Sequence, residues 1–350
     1  MSKKNWVVRP TSGLEGNVYY DKARGLFTEE RPHQIADDGF HTSPSYLAIA
    51  PMKVYFDMTY LCNLNCKHCI TNSSPWKDTR KELHSNRIFE IVDELAEIGV
   101  LEIAVGGGEP MMHPYWFFIF KHITDLGMNL IITTNGLLLN ERNLQYLRSI
   151  KPFETRVSFD GGRTLHNAIR GKDNYDRALK GLKNLVKNKL KAAARFTYCR
   201  GAEDEMEQFF ADIAGTGCKT VKIAMIKNAG RAMNNPDLLA PLPDFETAMR
   251  FLGLGKKYDL NVQLSGDDFP ISYLEANDKK LRDDDRQNCG AGFETCYISP
   301  YGQVFSCVTI PTIEFGQLHE ESFTSVWQGQ KANNFRKEAL NYSSSSSCPR

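Results

Sequence analysis

The sequence predicts an α/β fold, a parallel sheet built from right-handed βαβ units and followed by a smaller cysteine-rich segment. Three observations predict it. Strand-like and helix-like stretches alternate from Lys53 to about Leu264, the pattern of a parallel sheet covered by helices. Three cysteines, Cys62, Cys66 and Cys69, follow directly on the first strand-like stretch, where α/β folds build their sites. Beyond about Ser265 the alternation gives way to Asp, Gly and Lys, and further cysteines gather there.

The elements read as follows. Residues 1–50 carry Trp6, Tyr19, Tyr20 and Phe27 among Pro, Gly and scattered charge. They read as an irregular or short-stranded extension packed on the main domain, short for a domain of its own. Lys53 to Met58 is β-branched and aromatic and reads as the first strand. Ser85 reads as a helix N-cap. Ile88, Ile91, Val92, Leu95 and Ile98 then share one helical face, and Gly99 stops the helix. Five further strands start at Leu101, Asn129, Thr155, Ala194 and Val221, making six. Helices are expected near 174–188, 204–216 and 243–258, and Tyr115 to Phe120 reads as a helix packed on the sheet behind a turn at His113-Pro114. Cys199 and Cys218 stand alone and read as buried structural thiols. Tyr297 to Ser306 reads as a hairpin turning at Pro300 to Gly302, with short helices at 322–327 and 331–340 and a hydrophilic run at Ser343 to Ser347. The expected units are thus 1–50, 51–264 and 265–350.

Composition excludes several classes. A net charge of +1 with dispersed basic residues predicts neither a nucleic-acid binder nor a membrane-surface protein. The apolar stretches fall well short of the ~20 residues needed to span a bilayer. The start, Met-Ser-Lys-Lys-Asn-Trp, lacks an apolar signal core, so the expected location is the cytoplasm. Nine cysteines is an odd count, and in a reducing compartment clustered cysteines bind metal more readily than they pair.

The chemistry concentrates in Cys62-Asn-Leu-Asn-Cys66-Lys-His-Cys69, spaced C-x3-C-x2-C. Soft thiolates suit zinc or an iron–sulfur centre. Zinc would need a fourth ligand, with His68 and His84 as nearby candidates. An iron–sulfur cube on three cysteines leaves one iron open for reaction. Gly106-Gly-Gly-Glu-Pro110 follows the second strand. Its glycines allow close approach to the backbone, and Glu109 can accept from an ammonium group. Thr133-Thr-Asn-Gly136 and Ser158-Phe-Asp-Gly161 end the third and fourth strands, and Arg170 follows. All sit at C-terminal strand ends, where barrel sites assemble. No spacing supports a nucleophile-and-base arrangement for hydrolysis.

The cysteine loop resembles the signature of the radical S-adenosylmethionine (SAM) enzymes, with His68 in the position before the third cysteine that is usually aromatic there. Gly106 to Pro110 is similar to that family's GGEP motif. The resemblance implies a partial (β/α)6 barrel in which Cys62, Cys66 and Cys69 hold a [4Fe-4S] cluster with an open iron. It implies that Gly107, Gly108 and Glu109 hold the SAM amino group and that Asn135 lines the SAM site. Ser158 and Asp160 would contact SAM or substrate, and Arg170 would pair with the SAM carboxylate. One electron, from a flavodoxin- or ferredoxin-type donor, would cleave SAM to methionine and a 5′-deoxyadenosyl radical that abstracts hydrogen from the substrate. No catalytic acid or base is indicated.

Cys289-x12-Gly302-x4-Cys307 resembles the opening of the SPASM domain, the auxiliary-cluster extension of radical SAM enzymes. A hairpin would return Cys307 toward Cys289, with Cys296 as a third ligand. A full SPASM pattern continues with C-x2-C-x5-C-x3-C, whereas this sequence stops at Cys348-Pro349-Arg350. The expectation is a cut or shortened, Twitch-like domain holding one auxiliary Fe–S cluster with Cys348 as fourth ligand, and not a second cluster; a zinc staple is the alternative.

Proteins with this pairing are often maturases of ribosomally made peptides (RiPPs), and the reaction expected by resemblance is backbone excision, else crosslinking or epimerisation. This sequence resembles those acting on nitrile-hydratase-leader or Nif11-type precursors, including spliceases that excise a tyrosine-derived tyramine unit. The expected partners are a precursor peptide and, because 50 residues are short for a peptide-recognition winged helix, a separate leader-binding protein of the RRE type. Competing readings are a small-molecule radical SAM enzyme acting on a tetrapyrrole side chain, a sulfatase-activating dehydrogenase, and a non-enzymatic scaffold stapled by zinc.

Overall fold

A computed structural model describes residues 6–10, 17–21, 26–28, 50–265, 268–269 and 290–342. Cys289, Cys348 and the serine run 343–347 lie outside the described residues. Near the N-terminus, β1 (Trp6–Pro10), β2 (Asn17–Asp21) and β3 (Leu26–Thr28) form a small antiparallel sheet, a short-stranded extension as expected.

The main sheet begins with β4 (Lys53–Asp57), β5 (Glu102–Gly106), β6 (Asn129–Thr134), β7 (Glu154–Phe159), β8 (Ala192–Tyr198) and β9 (Thr220–Met225), the six expected strands, each parallel to the next. A seventh, β10 (Asn261–Leu264), extends the row beside β9. It escapes a sequence reading because it is short, polar at Asn261 and Gln263, and nowhere fully buried. Between strands run α1 (Ser85–Glu97), α2 (Trp116–Asp125), α3 (Glu141–Ile150), α4 (Arg163–Arg170), α5 (Asn174–Lys187), α6 (Met206–Thr216) and α7 (Phe245–Lys257). The cap of α1 is His84, not Ser85. His84 keeps an extended backbone and its Nδ1 accepts from the Asn86 amide at 3.4 Å, so Ser85 is the first helical residue.

The row of strands does not close. Beyond β4 the sheet continues through β11 (Thr295–Ile298), parallel to β4, and then through β12 (Gln303–Phe305) and β13 (Glu314–Gln317), both antiparallel. The predicted hairpin is therefore stitched to the edge of the partial barrel, and α8 (Phe323–Trp327) and α9 (Gln330–Tyr342) pack over it.

Strand alternation divides the sheet into two faces. Val54, Phe56, Ile103, Val105, Leu130, Ile132, Val157, Phe159 and Phe196 face the helices, where the α1 stripe of Ile88, Ile91, Val92 and Leu95 meets them. Full burial of each such side chain contributes about 1.5–3 kcal/mol. The opposite face is polar: Lys53 pairs with Glu102 at 3.3 Å, and Glu154 is held by Arg156 at 2.5 Å and Lys222 at 3.4 Å. This polar face lines the barrel lumen beneath the site.

Candidate active site at the barrel mouth

The loop after β4 brings Cys62, Cys66 and Cys69 to one wall of a cavity of about 250 Å³ at the C-terminal strand ends. Gly106 at the end of β5 with Gly107 and Gly108 after it, Thr134 at the end of β6 with Asn135 after it, Ser158 from β7 and Arg170 from α4 line the same cavity. None of the three thiols is in a disulfide. Among the described residues no three His, Cys, Asp or Glu side chains are already posed around one metal point. The thiols instead make protein contacts: Cys62 Sγ accepts from the Leu64 amide and Cys69 Sγ from the Ser73 amide, each at 3.4 Å. Burial pushes Cys62 up to about 12, with Glu109 and the two neighbouring thiols adding to it, and Cys66 to about 11. Thiolates crowded in this way want a compensating cation, which is what an iron centre supplies. The donor set therefore fits a thiolate-bound cluster. Of the two histidines considered for a zinc site, His84 caps α1 through Nδ1 and His68 Nε2 stands 2.8 Å from Asp160.

The loop is fastened from several sides. Arg231, in the 3₁₀ turn Gly230–Asn234, donates from Nε to the Cys66 carbonyl and from Nη2 to the Ser73 carbonyl, each at 2.7 Å. Asn235 Nδ2 donates to the Lys67 carbonyl at 3.0 Å. Gly230 has φ +58°, and a Cβ there would lie 2.4 Å from the Cys69 carbonyl oxygen. On the other side the glycine turn clasps the chain before Cys62, with the Gly108 amide on the Thr59 carbonyl at 2.8 Å and the Glu109 amide on the Leu61 carbonyl at 2.9 Å. A Cβ at Gly108 would come within 2.1 Å of the Leu61 carbonyl oxygen, so only glycine permits this approach.

The sequence-predicted residues fall into two groups. Gly107, Gly108, Asn135, Ser158 and Arg170 face the cavity, while Glu109 and Asp160 stand behind it. Glu109 is fully buried and accepts from Thr134 Oγ1 at 2.8 Å and the Asn135 amide at 2.9 Å; burial raises it to about 7 against those bonds. Asp160 is fully buried and accepts from Arg170 at Nε (2.5 Å) and Nη2 (2.9 Å), with His68 Nε2 at 2.8 Å. Although its burial acts upward, the Arg170 and His68 charges hold it well below the usual carboxylate range. Arg170, expected to face a SAM carboxylate, thus already has a counter-ion in Asp160.

Of the auxiliary cysteines, Cys296 on β11 is fully buried in the main core; burial pushes its thiol up and Arg336 opposes this. Cys307 is half-buried beyond β12, with its Sγ 3.0 Å from Thr309 Oγ1. Ser306 Oγ, Trp327 Nε1 and Arg336 Nη2 are buried here without a hydrogen-bond partner among the described residues, polar atoms that suit a further group in this region. Cys199 and Cys218 are buried, the latter donating to the Ala192 carbonyl at 3.4 Å, as expected of structural thiols.

Sequence reading missed Arg195, Thr197, Lys227 and Arg231, all of which line the cavity. Arg195 and Thr197 carried a usable signal, polar residues alternating with buried Ala194, Phe196 and Tyr198 in one strand. It also missed a link between β4 and β11: the Tyr297 hydroxyl donates to Asp57 Oδ2 at 2.9 Å and lies 3.1 Å from the Tyr60 hydroxyl. Burial raises Asp57 to about 7, although the Tyr297 bond opposes it.

Comparison with known proteins agrees with this geometry. Residues 57–213 match the radical SAM superfamily and residues 289–350 match SPASM, an iron-sulfur cluster-binding domain. The chain carries a radical SAM domain followed by a C-terminal SPASM domain. Its cofactors are accordingly a [4Fe-4S] cluster, SAM and an auxiliary iron–sulfur cluster. It is similar to the mycofactocin maturase MftC of Mycolicibacterium smegmatis, 27% identical over 310 residues that cover 85% of this chain and 76% of the relative. It is also similar to the AdoMet-dependent heme synthase of Methanosarcina barkeri, 27% identical over 82% of this chain and 84% of the relative. The Streptococcus suis SuiB structure bound to precursor peptide SuiA shares the fold, with TM-score 0.76 and 14% identity over 96% of this chain and 90% of that one. No helix among the described residues is long and apolar enough to cross a membrane.

Proposed function

We propose that the chain is a radical SAM maturase of a ribosomally made precursor peptide. The observation that carries the reading is one cavity lined together by three thiols, a glycine turn, Ser158 and Arg170, in a chain similar along most of its length to a peptide maturase. When bound, the cluster and SAM would supply one-electron reductive cleavage of SAM and radical abstraction of a hydrogen atom. Cys62, Cys66 and Cys69 hold the cluster, and Arg231 fixes their loop through its carbonyl contacts. Gly107 and Gly108 present backbone to the SAM amino group, with Glu109 behind them held rigid by Thr134 and Asn135. Asn135 and Ser158 line the SAM side, and Asp160 positions Arg170 and His68 rather than meeting SAM itself. Cys289, Cys296, Cys307 and Cys348 are the candidate auxiliary ligands. The units 1–50, 51–264 and 265–350, a separate leader-binding protein, a flavodoxin- or ferredoxin-type donor, cytoplasmic location and tyramine excision belong to the same proposal.

The test is intact-mass spectrometry of candidate precursor peptides co-expressed with the chain and a leader-binding partner under low oxygen. A Cys62→Ala, Cys66→Ala, Cys69→Ala triple variant is the control. A mass change lost in the control supports maturation, and its sign and size assign the chemistry; loss of the mass of a tyramine unit would mark excision. The similarity to a heme synthase favours one second reading, tetrapyrrole side-chain chemistry. Unchanged peptides from a chain that still cleaves SAM would favour it.

A further inference from the structure

Among the cations that line the cavity, all but one are already satisfied. Arg170 has Asp160, Arg231 has the Cys66 and Ser73 carbonyls, and Lys227 has Asp268. Arg195 has no hydrogen-bond or ion-pair acceptor among the described residues, although it is half-buried on β8. A guanidinium withdrawn from water without an acceptor is costly, and in a cavity wall it marks a place where a ligand supplies one.

The surroundings specify the ligand's charge. Arg195 stands level with Ser158 on one neighbouring strand and with Lys222 on the other. Lys53, Arg156, Lys222 and Arg195 face Glu102, Glu154 and the raised carboxyl of Asp57, which leaves positive charge in excess on this face. The guanidinium's own proton affinity is lowered, chiefly by burial and next by Arg156, and Tyr55 and Asp268 oppose this through space without bonding it, so an anion in contact here would offset what they leave uncompensated. The position specifies the source. The residues assigned to SAM stand on or after β5, β6 and β7, whereas Arg195 and Thr197 on β8, with Ala224 and Lys227 on and after β9, form the other half of the same cavity. No SAM contact is assigned to that half, and the substrate is placed there by this proposal.

We infer that Arg195 is a specificity-determining residue that receives a carboxylate of the substrate peptide, an Asp or Glu side chain or a C-terminus, as a bidentate pair beside the SAM half of the cavity. The inference rests on the peptide reading above, and its test separates the two. Full-length, cluster-reconstituted, SAM-loaded protein is titrated with acetyl-Gly-Glu-Gly-amide, with acetyl-Gly-Gln-Gly-amide and with glutarate, followed by saturation-transfer NMR. SAM affinity is measured in parallel by equilibrium dialysis. The expected result is a preference of about tenfold or more for the Glu peptide over the Gln peptide, as a charge-assisted bidentate pair supplies. Arg195→Gln abolishes that preference and Arg195→Lys keeps part of it, while cluster absorbance and SAM affinity stay within about twofold of the parent. Binding of glutarate that depends on Arg195, without peptide discrimination, would support the carboxylate site and count against the peptide reading. Equal binding of the two peptides and no Arg195-dependent glutarate binding would overturn the inference. So would a tenfold loss of SAM affinity in Arg195→Gln, which would give this arginine to SAM's own carboxylate.

Discussion

Replacing Asp160 with Asn should destabilise the chain and loosen the cluster loop together. Asp160 is fully buried, bonded twice by Arg170 and once approached by His68. Asparagine keeps the shape but leaves the Arg170 guanidinium, whose side chain is only 10% exposed, without a counter-charge. Removing one partner of a buried ion pair costs about 3–5 kcal/mol. With a urea slope of about 3 kcal/mol per molar, the midpoint should fall by about 1–1.7 M. Because the folded pKa of Asp160 is depressed, its contribution is present above its ordinary value of 3.8 and is lost only as pH falls through the depressed folded value. The difference between parent and variant should therefore be full at pH 7 and shrink only in strong acid. Urea titrations at pH 7 on the parent, Asp160→Asn, Arg170→Met and the double variant read this directly. The double variant should recover most of the loss, since a buried pair replaced as a unit leaves no orphan charge. A loss below about 1 kcal/mol in Asp160→Asn, or simple additivity in the double variant, would refute the clamp.

Asp57 should behave in the opposite sense. Its folded pKa is raised from 3.8 to about 7, equivalent to about 4 kcal/mol between its two protonation states. Its protonated form stabilises the fold at low pH, and that contribution is lost as pH rises through about 7. Asp57→Asn should therefore gain most stability relative to the parent at pH 8, part of that gain at pH 5 and least below pH 3.8, read by urea titration across this range. Arg231→Met should lower iron retention per chain after reconstitution, because the Cys66 and Ser73 carbonyls lose their donors, while the far-UV circular dichroism stays that of the parent. Gly108→Ala should be worse for iron loading than its size suggests, since its methyl group would drive into the Leu61 carbonyl; iron analysis beside Gly253→Ala, a position with open space around it, is the comparison.

The six parallel strands and the placement of the thiols were legible because buried strands have strong β-branched and aromatic patterns and because the cysteine spacing is local. The strand β10 was not legible, being polar and short, and the pairing of β11 with β4, with its Tyr297–Asp57 bond between residues 240 apart, is one that no local pattern connects. Within the site, Gly107, Gly108 and Ser158 were readable from turns at strand ends. The roles of Asp160 and Arg231 were not, because each depends on a partner brought in from another element: Arg170 and His68 for the first, the Cys66 and Ser73 carbonyls for the second. Arg195 was visible only as a charge in a strand, and its lack of a partner is a property of the folded lumen.

The most direct test is anaerobic reconstitution of the full chain with iron and sulfide, followed by quantification of 5′-deoxyadenosine formed from SAM under dithionite. The account predicts iron in excess of zinc and 5′-deoxyadenosine that disappears in the Cys62→Ala, Cys66→Ala, Cys69→Ala variant. A chain that keeps zinc on these thiols and forms no 5′-deoxyadenosine would contradict it.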